Sequence, residues 1–263
     1  MEKIDAIVPT LANLNSWAMD DILTPAHMVS MTALVSAKKI DQIRDSFKQQ
    51  GLAAPSYTAI IIKAVYLTLK KNPELNRAIL GPPFFRRIIQ FHNYDINVAV
   101  EKNIENIPGQ AYAPTIKNVD KKNVIEISKD LRFFANCDEK NDNNFKLFMR
   151  LLKFIPGPFS KWLINLPYWI PSLWVKHKGC ACWVNSPARA GADLVFTTWP
   201  WPVTFSFGIV KKRPMVIDDQ VRAEETIPLL MVFDRRLMGG GPAGRIFADF
   251  KQIIEESDPK LFE

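Results

Sequence analysis

Phe233-Asp234-Arg235-Arg236-Leu237-Met238-Gly239-Gly240 follows an apolar run that begins at Thr226 and precedes a stretch, Gly241 to Glu256, whose apolar residues recur at helical spacing. The first run predicts a strand. The second predicts a helix that turns Ile246, Phe250, Ile253 and Ile254 toward a core. The octapeptide is therefore a tight strand-to-helix connection carrying two adjacent arginines.

Working outward, Ala26 to Ala37 reads as a strand, and Ile40, Ile43 and Phe47 space a helix that Gly51 stops. Ser56 is placed to cap a second helix, apolar on nearly all sides, that runs to Lys71 before Pro73. Two strands, Phe84 to Phe91 and Tyr94 to Val100, are joined by His92-Asn93, and a short one lies at Ala111 to Lys117. Asn118 or Asp120 is the expected cap of a helix from Lys121 to Phe134 whose inner face is Val124, Ile127, Leu131 and Phe134. Further strands lie around Cys182, at Val203 to Val210 and at Pro214 to Ile217. Strands and helices mix without βαβ alternation, so the expected class is α+β. Neither a repeat nor a long linker appears, and residues 1–263 read as one domain.

With 263 residues, of which 48% are hydrophobic, the chain has enough apolar mass for a sizeable core. Its first ten residues mix Glu2, Lys3 and Asp5 with apolar positions and do not read as a leader, so the expected location is cytoplasmic. Cys137, Cys180 and Cys182 are too few for a disulfide framework, and Cys180-x-Cys182 alone lacks the ligands of a zinc site; no metal is expected. Cys180 and Cys182 are either buried strand thiols or nucleophiles with pKa values lowered by Lys176 and Lys178. The net charge of +7 fits an anionic partner. No helix-turn-helix, zinc-finger or RNA-recognition motif is present, so nucleic acid is not among the expected partners.

The octapeptide resembles the active-site loop, Phe-Asp-His-Arg-x-x-Asp-Gly, of the dihydrolipoamide acyltransferases of 2-oxo acid dehydrogenase complexes and, more distantly, of chloramphenicol acetyltransferase. Thr24-Pro25-Ala26-His27-Met28, Lys70-Lys71-Asn72-Pro73-Glu74-Leu75-Asn76, Asp95 to Val100, Ala113 to Asn118 and Phe207 to Val210 continue the resemblance in order. It implies a chloramphenicol acetyltransferase-like mixed sheet with flanking helices, a homotrimer with active sites between subunits, and an acyl thioester of coenzyme A or a carrier protein as substrate rather than as a bound cofactor. By the same resemblance Arg235 stands where the catalytic His belongs and Gly239 where its Asp belongs. A guanidinium has no acceptor and a pKa above ~12, so Arg235 is not a general base. It is suited to hold a carboxylate or phosphate, to steady an oxyanion, or to pair with an acid.

The resemblance puts an oxyanion-stabilising hydroxyl at Ser186, or at Asn185 if the register slips by one. The histidines that remain as replacement bases are His27, His92 and His177, none with an acid partner visible in sequence. No lipoyl or peripheral-subunit-binding domain precedes the matching region, so a role outside dehydrogenase complexes is expected. Residues 140–180 are the least family-like part. Between Phe145 and Lys178 stand six lysines and arginines, no acid, and Trp162, Trp169 and Trp174. This segment reads as a lid with buried aromatics, or as a peripheral membrane contact, being too short between charges to cross a bilayer. Trp199-Pro200-Trp201-Pro202 reads as channel wall or packing. The function expected is acyl transfer from a thioester by a site without the His base; the alternative is a catalytically silent trimeric ligand-binding or membrane scaffold.

Overall fold

The computed structural model describes residues 4–8, 27–82, 84–104, 107–154, 165–196 and 201–262. Its longest strand, β12 (Gln220–Asp234), is the axis of a seven-stranded sheet. Along Thr226 to Asp234 it pairs antiparallel with β2 (Met28–Ser36). Its other edge meets β11 (Lys211–Ile217) near its start and β10 (Val203–Phe207) near its end. Beyond β10 come β9 (Cys182–Asn185) and β5 (Ile96–Val98), both parallel pairings, then β8 (Thr115–Ile116) antiparallel at the edge. The mixture of parallel and antiparallel pairs with unalternated helices is the α+β arrangement expected.

Helices α1 (Lys38–Gln49), α2 (Tyr57–Lys71), α3 (Val124–Asn136) and α6 (Gly240–Glu256) flank this sheet. Side chains alternate along a strand, so odd-numbered residues of β10 and β12 share one face. Phe205 meets Phe250 of α6 with centroids 4.7 Å apart, which identifies that face as the helix-covered one. Leu229, Met231 and Phe233 join it in the main core, and Ala59 to Val65 of α2 are buried throughout, the buried Lys63 donating its ammonium to Lys122 O. The near-continuous apolar run of α2 thus finds neighbours on most sides.

Capping follows local chemistry. Ser56 accepts from Ala59 N, as expected. For α3 the expected cap is wrong: Asn123, not Asn118 or Asp120, accepts from Ile125 N and Glu126 N while Glu126 accepts from Asn123 N, a reciprocal capping box. Asn118 takes a left-handed conformation before a short 3-10 turn, Val119–Lys121, so the helix starts later.

The strands joined by His92-Asn93 lie in different sheets. β4 (Arg87–Phe91) sits between β1 (Ile4–Ile7) and β3 (Arg77–Leu80) in a small antiparallel sheet, whereas β5 enters the large one. The segment expected as one strand at Ala111 to Lys117 is divided between β8 and the end of β7 (Ile107–Tyr112), which forms a ribbon with β6 (Val100–Ile104).

In the atypical segment, α4 (Asn143–Phe154) lays Phe145 and Met149 against Tyr112 and Cys137, a second small core. Trp174 of α5 (Pro171–Lys178) is fully buried, and the Lys178 ammonium lies 4.7 Å from the Trp201 ring centroid, with burial pushing its pKa down to about 8. Phe145, Met149 and Trp174 thus pack inward, while Leu147 and Ile170 stay exposed; Trp162 lies outside the described residues. None of the described helices is long and apolar enough to cross a membrane.

Gly208 holds the break between β10 and β11 against the backbone of Asp193: an added Cβ would sit 1.5 Å from Asp193 O. Gly208→Ala is therefore expected to destabilise the chain by about 2 kcal/mol or more, whereas Gly239→Ala, where an added Cβ meets nothing within 4 Å, stays within about 0.5 kcal/mol. Urea unfolding midpoints check the contrast.

Candidate functional site

Asp234 ends β12 with its side chain buried, and its N–H donates to Pro202 O at 2.9 Å. A turn follows, closed by Leu237 N–H on Asp234 O at 3.0 Å. The carboxylate is gripped by Arg236: the backbone N–H and Nε donate to Oδ1, both at 3.0 Å, and Nη2 donates to Oδ2 at 2.7 Å. A bidentate guanidinium plus a backbone donor satisfies a carboxylate that would otherwise be costly to bury.

With Asp234 and Arg236 turned inward, Arg235 between them is exposed. Its N–H donates to His27 O at 2.7 Å, extending the β2–β12 ladder one step beyond the Met28–Asp234 pair. The fold thereby sets His27 opposite Arg235. His27 Nδ1 is buried with no hydrogen-bond partner among the described residues. Gly239 is the N-cap of α6 in an extended conformation (φ −77°), with no capping side chain. Any residue adopts that conformation, so the backbone does not demand glycine here.

Asn185 ends β9, buried on the face opposite Phe205, where its register partner is Ser206. Ser206 Oγ and the Oδ1 of Asn97, on the same face of β5, are buried with no partner among the described residues. These two polar residues were missed in the sequence, although each interrupts an apolar strand, Ile96-Asn97-Val98 and Phe205-Ser206-Phe207. Ser186 lies just past the strand: its Oγ donates to Phe207 O at 2.8 Å and accepts from Ala188 N at 3.2 Å, so its hydroxyl shapes the turn.

One chain brings Arg235 and His27 together and keeps both from Asn185 and Ser186. Asn185 is level, through Ser206, with Leu230. Four strand residues to Asp234 and two strand spacings give a separation of roughly 16 Å.

The other candidates fall elsewhere. His92 lies in the small-sheet region with Nε2 2.5 Å from Asp5 Oδ2, an acid partner too distant in sequence to anticipate. Burial, then Lys176, Lys117 and Lys178, hold His177 below its ordinary pKa. Cys180 and Cys182 are fully buried, and burial pushes the Cys182 thiol well up, which is the buried-thiol alternative and not the lysine-activated nucleophile. Trp201 is buried, stacked on Trp183 at 5.1 Å, while Trp199 and Pro200 lie outside the described residues. Among the described residues no three His, Cys, Asp or Glu side chains group as a metal site would require.

A mixed sheet with flanking helices and this strand-to-helix loop define the chloramphenicol acetyltransferase-like fold. Chloramphenicol acetyltransferase itself superposes with a TM-score of 0.52 at 13% identity, covering 98% of this chain and 100% of that one. The chain belongs to the 2-oxoacid dehydrogenases acyltransferase (catalytic domain) family, whose model matches residues 14–144. The acetyltransferase component of the Bacillus subtilis pyruvate dehydrogenase complex is 25% identical over 266 aligned residues, 99% of this chain and 50% of that protein. The chain thus spans about half the length of the curated relatives it matches. Azotobacter vinelandii dihydrolipoamide acetyltransferase, solved to define the role of a serine, a histidine and an asparagine in its catalytic mechanism, superposes with a TM-score of 0.65 at 15% identity, covering 97% of this chain and 93% of that one.

The loop predicts unequal mutational effects. Asp234→Ala leaves Arg236 without its carboxylate and is expected to cost about 3 kcal/mol. Arg235→Ala, at an exposed position, stays within about 1 kcal/mol. Equilibrium urea unfolding of both variants is the check.

Proposed function

We propose that this protein is an acyltransferase-like homotrimer that binds an acyl thioester, of coenzyme A or a carrier protein, between copies of the chain. The observation that carries the reading is the Asp234–Arg236 grip, which keeps a strand-to-helix loop of the family's kind and displays Arg235 at its tip. The Azotobacter relative names a histidine and an asparagine four residues apart in its mechanism; Arg235 and Gly239 are four apart here. On this reading the loop's framework survives while the two reacting positions have changed, which also favours a role outside dehydrogenase complexes.

Arg235 then works as a cation. It holds the phosphate or carboxylate of the thioester, or stabilises negative charge developing on the carbonyl oxygen. The base is supplied by His27, the imidazole that the β2–β12 ladder sets beside Arg235, with an unpartnered Nδ1. Asn185 and the partly exposed Ser186 of a neighbouring copy provide the polar wall, since within one chain they lie too far from the loop. The trimer is part of the proposal for this reason.

Calorimetric titration with acetyl-CoA and with an acyl-carrier thioester tests this. Arg235→Ala is expected to weaken binding about tenfold, as for loss of a charge-assisted contact. His27→Gln is expected to leave binding intact and lower thioester turnover about 100-fold. No binding across a broad acyl-CoA and acyl-carrier panel overturns the reading.

A further inference from the structure

The turn between β3 and β4 has no part in the loop chemistry, and its conformation works against folding. Phe84 is fully exposed with φ 70°, a left-handed backbone that strains a bulky residue and that glycine would take without strain. Phe85 beside it is 73% exposed. A strained backbone that presents an aromatic ring to water serves no packing purpose within this chain, and such outliers point to function.

The tip's setting is apolar and basic. Arg86 and Arg87 follow at once, both exposed, and between Glu74 and Asp95 the sequence has three arginines and no acid. Gly81 N–H donates to Tyr168 O at 2.7 Å, which ties the turn to the segment carrying Trp169 and the 43% exposed Ile170. Between them is a groove of about 720 Å³ walled by Ile4, Leu80, Phe85, Ile89 and Trp169, with Arg87 at its edge. Asp5, which also lines the groove, is engaged by His92.

We propose that the Phe84–Arg87 tip, with Ile170 beside it, docks on an anionic phospholipid bilayer, the rings entering the headgroup region and the arginines lying at phosphate level. Two phenylalanine rings supply roughly 300–500 Å² of contact, about half of what each partner gives a stable protein–protein interface. Insertion of aromatic side chains assisted by adjacent cations needs no such area. The docking surface differs from residues 145–178 alone: its penetrating residues lie on the β3–β4 turn.

The test is flotation of the full chain with phosphatidylcholine vesicles, with and without phosphatidylserine. The native chain is expected to float with the phosphatidylserine vesicles and to be released by salt. Phe84→Ser/Phe85→Ser loses binding, and each of Arg86→Gln and Arg87→Gln weakens it about fivefold. Phe84→Gly separates function from folding: it loses lipid while its thermal midpoint holds or rises, because strain is relieved. The proposal is overturned if the native chain does not float, if the double serine variant floats equally, or if Phe84→Gly unfolds at lower temperature. A double serine variant that changes oligomeric state also overturns it, marking the tip as a contact between copies.

Discussion

The interaction on which the site depends is the grip of Arg236 on the buried Asp234 carboxylate. β12 is shared by β2 on one edge and by β10 and β11 on the other, so its end is fixed from both sides before the loop begins. Asp234 stops the strand by turning its acid inward, and Arg236 must follow it. The residue between them then has to face outward, and that residue is Arg235. Loop shape and the presentation of Arg235 are one consequence of a single ion pair with three matched donors.

The same constraint separates framework from chemistry. Apolar residues of α6 seat the helix on Phe205 and its neighbours whatever side chain stands at 235 or 239. Gly239 is held to no special dihedral, and space is open around it. Substitution at these positions therefore leaves the fold untouched while changing what the loop offers a ligand. A guanidinium gives a fixed charge and no proton acceptor; the imidazole beside it is that of His27, just before β2.

Local signals were legible in the sequence. Ser56 as a cap, the inward face of α6 and the buried run of α2 follow from propensity and periodicity, which depend on near neighbours alone. The cap of α3 was misplaced because three polar residues compete within six positions, and only the Asn123–Glu126 reciprocity decides among them. What sequence could not carry was distance across the sheet. That His27 adjoins Arg235, that His92 meets Asp5, and that Asn185 stands level with Leu230 all follow from strand order, which is non-local. Arg235 and Ser186 looked like members of one site. Their separation within a chain is the reason the proposed site is placed between copies.

In the proposed function the site is assembled between copies, with the Arg235 loop of one facing the Asn185–Ser186 turn of another. Cross-linking tests it most directly: a chain carrying both Arg235→Cys and Ser186→Cys, treated with a short bis-maleimide, reports which cysteines are neighbours, while Cys137, Cys180 and Cys182 are buried and the native chain controls for them. Covalent species of two and three chains, absent when either substitution is made alone, are the predicted result. Cross-linking confined to single chains would rule out a site shared between copies.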